Sequence, residues 1–178
     1  ANAGRPVRVL NLFAYTGGAT VACAAAGAQV CHVDASKGMT QWAKENLAAS
    51  GLSGCPVRFL VDDCIKFVER EKRRGHRYEA VILDPPSYGR GPGGEVWKLE
   101  EQLYTLLSVC VGLLSEKPLF FLLNSYTSGL SPSAMGYLLG VTVGRAFASG
   151  RLEADEIGLR VTSTGLAFPC GASARMTF

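Results

Sequence analysis

Short, nearly continuous apolar runs alternate along this chain with longer stretches in which apolar positions recur at helical spacing. Val7–Phe13, Gln29–Asp34, Val57–Val61, Glu79–Asp84 and Leu119–Leu123 read as strands. Gly18–Ala26, Ser36–Ser50, Cys64–Arg74 and Trp97–Leu114 read as helices, and a further helix starts between Ser131 and Ser133 and runs to about Ala148. Ser36 is placed to cap the second helix and Gly51 to stop it. Ala80-Val81-Ile82-Leu83 is apolar throughout, which fits a central parallel strand covered on both faces. Near the end the period changes. Ile157, Leu159 and Val161 alternate with polar residues, Thr162–Gly165 turns, and Leu166–Phe168 runs on until Pro169 and Gly171 interrupt it. That predicts an antiparallel hairpin in place of another strand–helix unit.

Alternating strands and helices predict a doubly wound, Rossmann-like α/β sheet, mostly parallel, in one domain spanning 1–178. Such sheets bind ligands beyond the carboxyl ends of their strands. The chemically informative residues fall there: Phe13, Ala14, Tyr15, Thr16, Gly17 and Gly18 after the first strand, Asp34, Ala35 and Ser36 after the second, Asp62, Asp63 and Cys64 after the third, Asp84–Tyr88 after the fourth, and Asn124–Thr127 after the fifth. A strand that stops at Gly17-Gly18 and feeds a helix aims backbone N–H groups at a polar ligand. Asp34 ends the next strand, where a carboxylate accepts hydrogen bonds from a ribose diol. Together they predict a nucleoside-containing cofactor.

Asp84-Pro85-Pro86-Ser87-Tyr88 is the most specific motif. Two prolines remove two backbone donors and hold the chain extended, so that carbonyls are expected to face the cleft unpaired. With the Asp84 carboxylate they would orient a planar nucleophile carrying N–H groups, and Tyr88 would stack on a base. Gly89–Gly94, with Arg90 inside it, reads as a mobile lid.

Composition narrows the class. Hydrophobic residues make up 48% and charged residues 19%, and the formal net charge of +3 is compatible with a nucleic-acid partner. Lys72-Arg73-Arg74 with Arg77 is the main basic cluster and reads as a solvated helix end. The six cysteines show no C-x-x-C spacing and read as buried cytosolic thiols, with no metal expected. No apolar run approaches a membrane span, and the opening Ala1-Asn2-Ala3-Gly4-Arg5-Pro6 is not a signal peptide, so no membrane partner and a cytoplasmic setting are expected. With a strand starting almost at once, an excised domain is expected. His32, inside a strand, reads as a packed core histidine.

Asn11–Gly18, Val33-Asp34-Ala35-Ser36, Ala43–Asn46, Asp62-Asp63 and Asp84–Gly89, in this order, resemble class I S-adenosylmethionine-dependent methyltransferases, and among them the bacterial 23S ribosomal RNA methyltransferase-like family. The resemblance covers about the first hundred residues, and the hairpin ending in Pro169-Cys170-Gly171 is similar too. It implies a seven-stranded sheet whose last two strands form the hairpin, and an N-terminal substrate-binding region that is expected to be missing from a fragment of this kind. Tyr15–Gly18 would then cradle the methionine end of S-adenosylmethionine, Asp34 the ribose hydroxyls, and Asp63 or Asp62 the adenine amine, with the Cys64 amide at the ring. One of the two aspartates is expected only to cap the following helix. The expected reaction is methyl transfer to a nitrogen of an RNA base, with S-adenosylhomocysteine as product and Asp84, Pro85, Pro86 and Tyr88 as the catalytic group. Carbon-5 attack on a pyrimidine needs a cysteine nucleophile, and the segments after the fourth and fifth strands carry none. A small molecule or a protein as methyl acceptor is the alternative within the class. Outside it stand a noncatalytic RNA-binding module and a nicotinamide-dependent oxidoreductase, the latter opposed by the missing G-x-G-x-x-G.

Overall fold

The computed structural model describes residues 4–91, 93–127 and 129–178, so Ala1-Asn2-Ala3 of the opening segment and Pro92 of the expected lid lie outside it. Three strand–helix units come first: β1 (Arg8–Leu12), α1 (Gly18–Ala25), β2 (Gln29–Asp34), α2 (Lys37–Ala49), β3 (Val57–Val61) and α3 (Cys64–Arg73). β4 (Ala80–Leu83) is followed by a two-stranded ribbon, β5 (Tyr88–Arg90) and β6 (Val96–Lys98). Then come α4 (Leu99–Val111), β7 (Phe120–Ser125), α5 (Pro132–Leu139), a π-helical turn at Gly140–Gly144, and the hairpin β8 (Arg151–Arg160) and β9 (Ala167–Thr177).

The main sheet has seven strands in the order β3-β2-β1-β4-β7-β9-β8. The five strands from β3 to β7 run parallel, and β9 pairs antiparallel with both β7 and β8. Strand order reverses between β1 and β4, which opens a crevice at their carboxyl ends.

Period-two alternation sorts the strand residues onto two faces. Leu10, Leu12, Cys31, Val33, Val81, Leu83, Phe121 and Leu123 form one core with α3, α4 and α5. Val9, Val30, Ala80 and Ile82 form a smaller one with Ala24 of α1 and Leu47 of α2. Leu10, Leu12, Leu83, Leu106 and Leu107 are fully buried, each worth about 1.5–3 kcal/mol of apolar transfer. Between the layers Asn11 Nδ2 donates to Thr20 Oγ1 at 2.9 Å, and Thr20 Oγ1 is hydrogen-bonded to His32 Nδ1 at 2.9 Å. These groups fasten α1 to β1 and β2, and burial lowers His32 to a pKa of about 4.

Three elements differ from the sequence reading. Trp97 lies in β6, and its helix starts only at Leu99. Trp97 Nε1 donates to the Pro86 carbonyl at 2.6 Å, and Gly89 pairs opposite Trp97, so a long-range contact overrides the local helical pattern. The helix expected to reach about Ala148 stays helical to Ala146, but it is π-helical over Gly140–Gly144. Gly136 and Gly144 let it press on the hairpin: a Cβ there would stand 3.2 Å from Ala154 Cβ and 3.1 Å from Met176 Cε. The hairpin itself starts at Arg151, with a bulge at Ile157/Gly158, because its full length pairs with β9.

The two ends of the described chain meet at the amino edge of the sheet. Arg5 Nη2 donates to the Lys117 carbonyl, and Phe178 N donates to the Leu119 carbonyl at 3.0 Å.

Candidate active site

β1 ends in a tight turn in which Phe13 (φ 55°) and Tyr15 (φ 49°) both take the left-handed conformation. Each such non-glycine residue stores about 1–3 kcal/mol and persists only when its surroundings hold it. Here they do. Ala14 N donates to the Val33 carbonyl at 3.1 Å, Tyr15 N to Asp34 Oδ2 at 2.8 Å, and Asn46 Nδ2 to the Thr16 carbonyl at 2.9 Å. The Phe13 ring lies 4.9 Å from that of Trp97. Gly17 (φ 84°) caps α1 without a side-chain bond, and a Cβ on it would meet Ala43 Cβ at 2.9 Å. Only glycine fits where α2 packs onto the turn.

The second carboxylate oxygen of Asp34 accepts the Ser36 amide at 2.8 Å. Ser36 caps α2 by accepting from Met39 N at 3.3 Å, as its position in the sequence predicts. After β3 the two aspartates part. Asp62 pairs with Arg70, whereas Asp63 caps α3, Oδ1 accepting from Lys66 N at 2.8 Å, and also lines the cavity.

This cavity, of about 490 Å³, opens at the crevice between β1 and β4. Asp34, Asp63 and Asp84 bring carboxylates to its wall, and Phe13, Met39, Cys64, Pro85, Pro86 and Trp97 make the rest largely apolar. Asp84 Oδ1 is buried with no hydrogen-bond partner among the described residues, and burial pushes this carboxyl up to a pKa of about 6. Tyr126, beyond β7, lines the same cavity, and its hydroxyl is raised by burial and by the nearby Asp84 charge. Gly171 (φ 148°) makes room for it: a Cβ there would meet Ser125 O at 2.5 Å and the Tyr126 ring at 2.9 Å.

The β5–β6 ribbon roofs one side. The expected lid is thus a paired structure at its two ends, tied down by the ion pair of Lys66 with Glu95 and by Gly93 N donating to Glu95 Oε2 at 2.9 Å. A Cβ on Gly91 would stand 3.2 Å from Asp63 Oδ2, so the backbone passes close over that carboxylate. The Pro86 carbonyl, expected to face the cleft unpaired, is instead engaged by Trp97, and the unpaired acceptor is Asp84 Oδ1.

Of the residues singled out in the sequence, Phe13, Tyr15, Asp34, Ala35, Ser36, Asp63, Cys64, Asp84, Pro85 and Pro86 line this cavity. Ala14, Thr16, Gly17 and Gly18 build the turn behind it, Asp62 faces Arg70, and Tyr88 stands exposed on the ribbon. Tyr126, grouped in the sequence only with a polar rim, is the tyrosine beside Asp84. Met39 and Trp97 were missed. Met39 follows Ser36 by three residues, a spacing that puts both on one side of the first helical turn; Trp97 gave no local signal.

A switch-point cavity with a strained glycine turn after β1 and carboxylates after β2, β3 and β4 fits a nucleoside cofactor, and the unsatisfied Asp84 oxygen awaits a donor. Comparison with known proteins specifies the class. The profile of the S-adenosylmethionine-dependent methyltransferase family matches residues 1–109. The chain is 38% identical over 109 residues to the ribosomal RNA large subunit methyltransferase K/L of Shewanella frigidimarina, a match covering 60% of this chain and 15% of that protein. A crystal structure of an S-adenosylmethionine-dependent methyltransferase from Agrobacterium tumefaciens superposes with a TM-score of 0.91 at 39% identity, over 99% of this chain and 57% of that one. The methyltransferase SMU.776, in complex with SAH, shares the fold at a TM-score of 0.77 and 21% identity, over 97% of this chain and 45% of that one.

The fold is that of the S-adenosylmethionine-dependent methyltransferases. The chain belongs to the S-adenosylmethionine-dependent methyltransferase family, and S-adenosylmethionine is its cofactor. It spans about 15% of the length of the curated relative it matches.

Proposed function

We propose that this chain methylates a nitrogen of an RNA base, in ribosomal RNA. The observation that carries the reading is the buried, unpartnered Asp84 Oδ1 beside Pro85 and Pro86 in a cavity whose far side carries Asp34 and Asp63. Asp34 would hold the ribose diol with the lone pairs its two backbone bonds leave free, and Asp63, which lines the cavity, the adenine amine. The turn Tyr15–Gly18 and the uncapped start of α1 would receive the methionine end. When bound, the cofactor supplies an electrophilic methyl group on a sulfonium.

Asp84 accepts an N–H of the base, which aims the nitrogen lone pair toward the methyl position. With its carboxyl poised at about 6, it also takes up the proton released once the new N–C bond has formed. Tyr126, more than half exposed and adjacent to Asp84, offers a stacking surface for the base, and Tyr88 stands further out on the ribbon. The wall holds one cysteine, Cys64, whose thiol burial pushes well above its ordinary pKa, the opposite of what a nucleophile needs. The ribosomal RNA relatives support RNA as the acceptor, and with it a cytoplasmic reaction.

The test is incubation of the protein with S-adenosylmethionine and ribosomal RNA, followed by mass spectrometry of the nucleosides. An N-methylated base is expected. A 5-methylpyrimidine, or a covalent adduct with RNA carrying 5-fluorocytosine, overturns the nitrogen assignment; methylation of a protein or a small molecule in place of RNA overturns the substrate.

A further inference from the structure

The opposite pole of the sheet carries a second constellation. Two cavities, of about 470 and 600 Å³, lie side by side at the amino ends of the strands and share Arg8 and Arg77. Strand alternation explains why cations gather there. Arg8 lies in register with Gln29, and Cys31 with Arg58, so Arg8, Leu10, Cys31 and Arg58 occupy one face. Leu10 and Cys31 are core, but α3 ends before it can cover the outer positions, and Arg8 and Arg58 stand exposed beyond its last turn.

The acids at this pole are already engaged. Glu71 is buried and accepts from the Tyr78 hydroxyl at 2.6 Å, is bonded to His76 Nδ1 at 2.7 Å, and pairs with Arg74 at 3.4 Å. Burial pushes its carboxyl up, but these bonds outweigh burial and leave it lowered, hence ionised. Glu79 is likewise spent on Arg8, at 3.1 and 3.2 Å. Among the described residues, no carboxylate lies within ion-pair distance of Arg58, Arg77 or Lys117, all of which line the two cavities. Glu116, exposed at the rim, is the other acid there. The Ser115 hydroxyl belongs to the second cavity's wall, and its oxygen is buried with no hydrogen-bond partner among the described residues.

We infer that this pole binds backbone phosphates of the RNA substrate, Arg58 and Arg77 serving the first cavity and Arg77, Lys117 and Ser115 the second. The inference rests on the reading of the substrate as RNA. The chemistry is that of the phosphodiester: guanidinium groups present a planar fork of donors that matches phosphate oxygens, and a hydroxyl adds a further donor. β1, which runs between the poles, is five residues long, so the phosphate site lies roughly 17 Å below the methyl-transfer crevice at ~3.3 Å per residue. An RNA segment that follows the side of the domain can therefore place one base in the crevice while its backbone is held at the opposite edge. Contacts of this kind position without reading sequence.

Fluorescence anisotropy with a labelled RNA hairpin, run over a salt series, tests this. Arg58→Glu and Arg77→Glu are compared with Lys44→Glu, which makes the same charge change on the exposed face of α2. The two arginine variants are expected to bind RNA about tenfold more weakly, and each to lower the log–log salt slope by about one. Arg58→Gln and Arg77→Gln should fall in between, and titration calorimetry should find S-adenosylmethionine affinity unchanged, which also verifies folding. Arginine variants that bind RNA as tightly as the wild type, or no more weakly than Lys44→Glu, overturn the phosphate site while leaving the RNA reading in place. A wild-type chain that binds no RNA in the same assay overturns the RNA reading and this site with it.

Discussion

Asp34 Oδ2 accepts the backbone amide of Tyr15 at 2.8 Å, so the carboxylate that ends β2 also holds a left-handed residue of the turn after β1. Asp34→Ala should therefore lose cofactor affinity and stability together. Hydrogen bonds to a charged acceptor are worth about 1.5–3 kcal/mol, and the substitution releases two backbone donors. Asp34→Asn, which keeps one acceptor, should retain more of both. Urea denaturation alongside calorimetric titration of S-adenosylmethionine checks the coupling; a loss of affinity with no loss of stability would show that the turn does not depend on Asp34.

The Gly17–Ala43 approach makes a second prediction. Gly17→Ala combines a positive φ with a Cβ 2.9 Å from that of Ala43, and should destabilise the domain by about 1–3 kcal/mol. Ala43→Gly in the same chain should recover the steric part but not the part due to backbone strain. Chemical denaturation of the single and double variants separates them.

Asp84 governs a pH dependence. Burial raises its folded carboxyl to about 6, above its ordinary value of 3.8. Between those values the native state holds more protons than the unfolded chain, so stability should fall as pH rises from about 4 to about 6 and then level off. Activity should move the other way, rising as the carboxylate forms near pH 6. Asp84→Asn should abolish the activity and flatten the stability change. Parallel profiles of kcat/KM and of the urea midpoint test both signs.

His32 has the opposite sign. Burial lowers its folded pKa to about 4 from 6.5, so the unfolded chain takes up the proton first and stability is lost as pH falls through that window. In a proton NMR titration the His32 ring should stay neutral until about pH 4. A midpoint near 6.5 would mean that the Asn11–Thr20–His32 contacts open in solution.

Trp97→Phe keeps an aromatic ring against Phe13 but removes the donor to the Pro86 carbonyl. The expected loss is about 1 kcal/mol of stability. Cofactor affinity should weaken severalfold, because the ribbon loses its tie to the proline segment; calorimetry decides.

The parallel sheet was legible because Ala80–Leu83 and its counterparts are continuously apolar, which fits strands covered on both faces. The choice between Asp62 and Asp63 was not, because it depends on where Arg70 emerges from α3, two turns away. Trp97 escaped for a related reason. Its neighbours favour a helix, and only contacts with Pro86 and Gly89 place it in a strand. The start of β8 at Arg151 is set by partners in β9 that lie up to 26 residues further on. Tyr126 and Tyr88 are chemically alike in the sequence. What separates them is Gly171, which lets β9 come close enough to seat one of them beside Asp84.

Arg5 and Phe178 both end against the 117–119 segment, so the ends of the described chain are neighbours. A short flexible tether could join them and close the polypeptide into a ring, with new termini opened in an exposed turn such as Ser53-Gly54, also at the amino edge. The same proximity has a bearing on fusion proteins. A module attached at either end leaves from the pole that carries Arg58 and Lys117, opposite the mouth of the crevice.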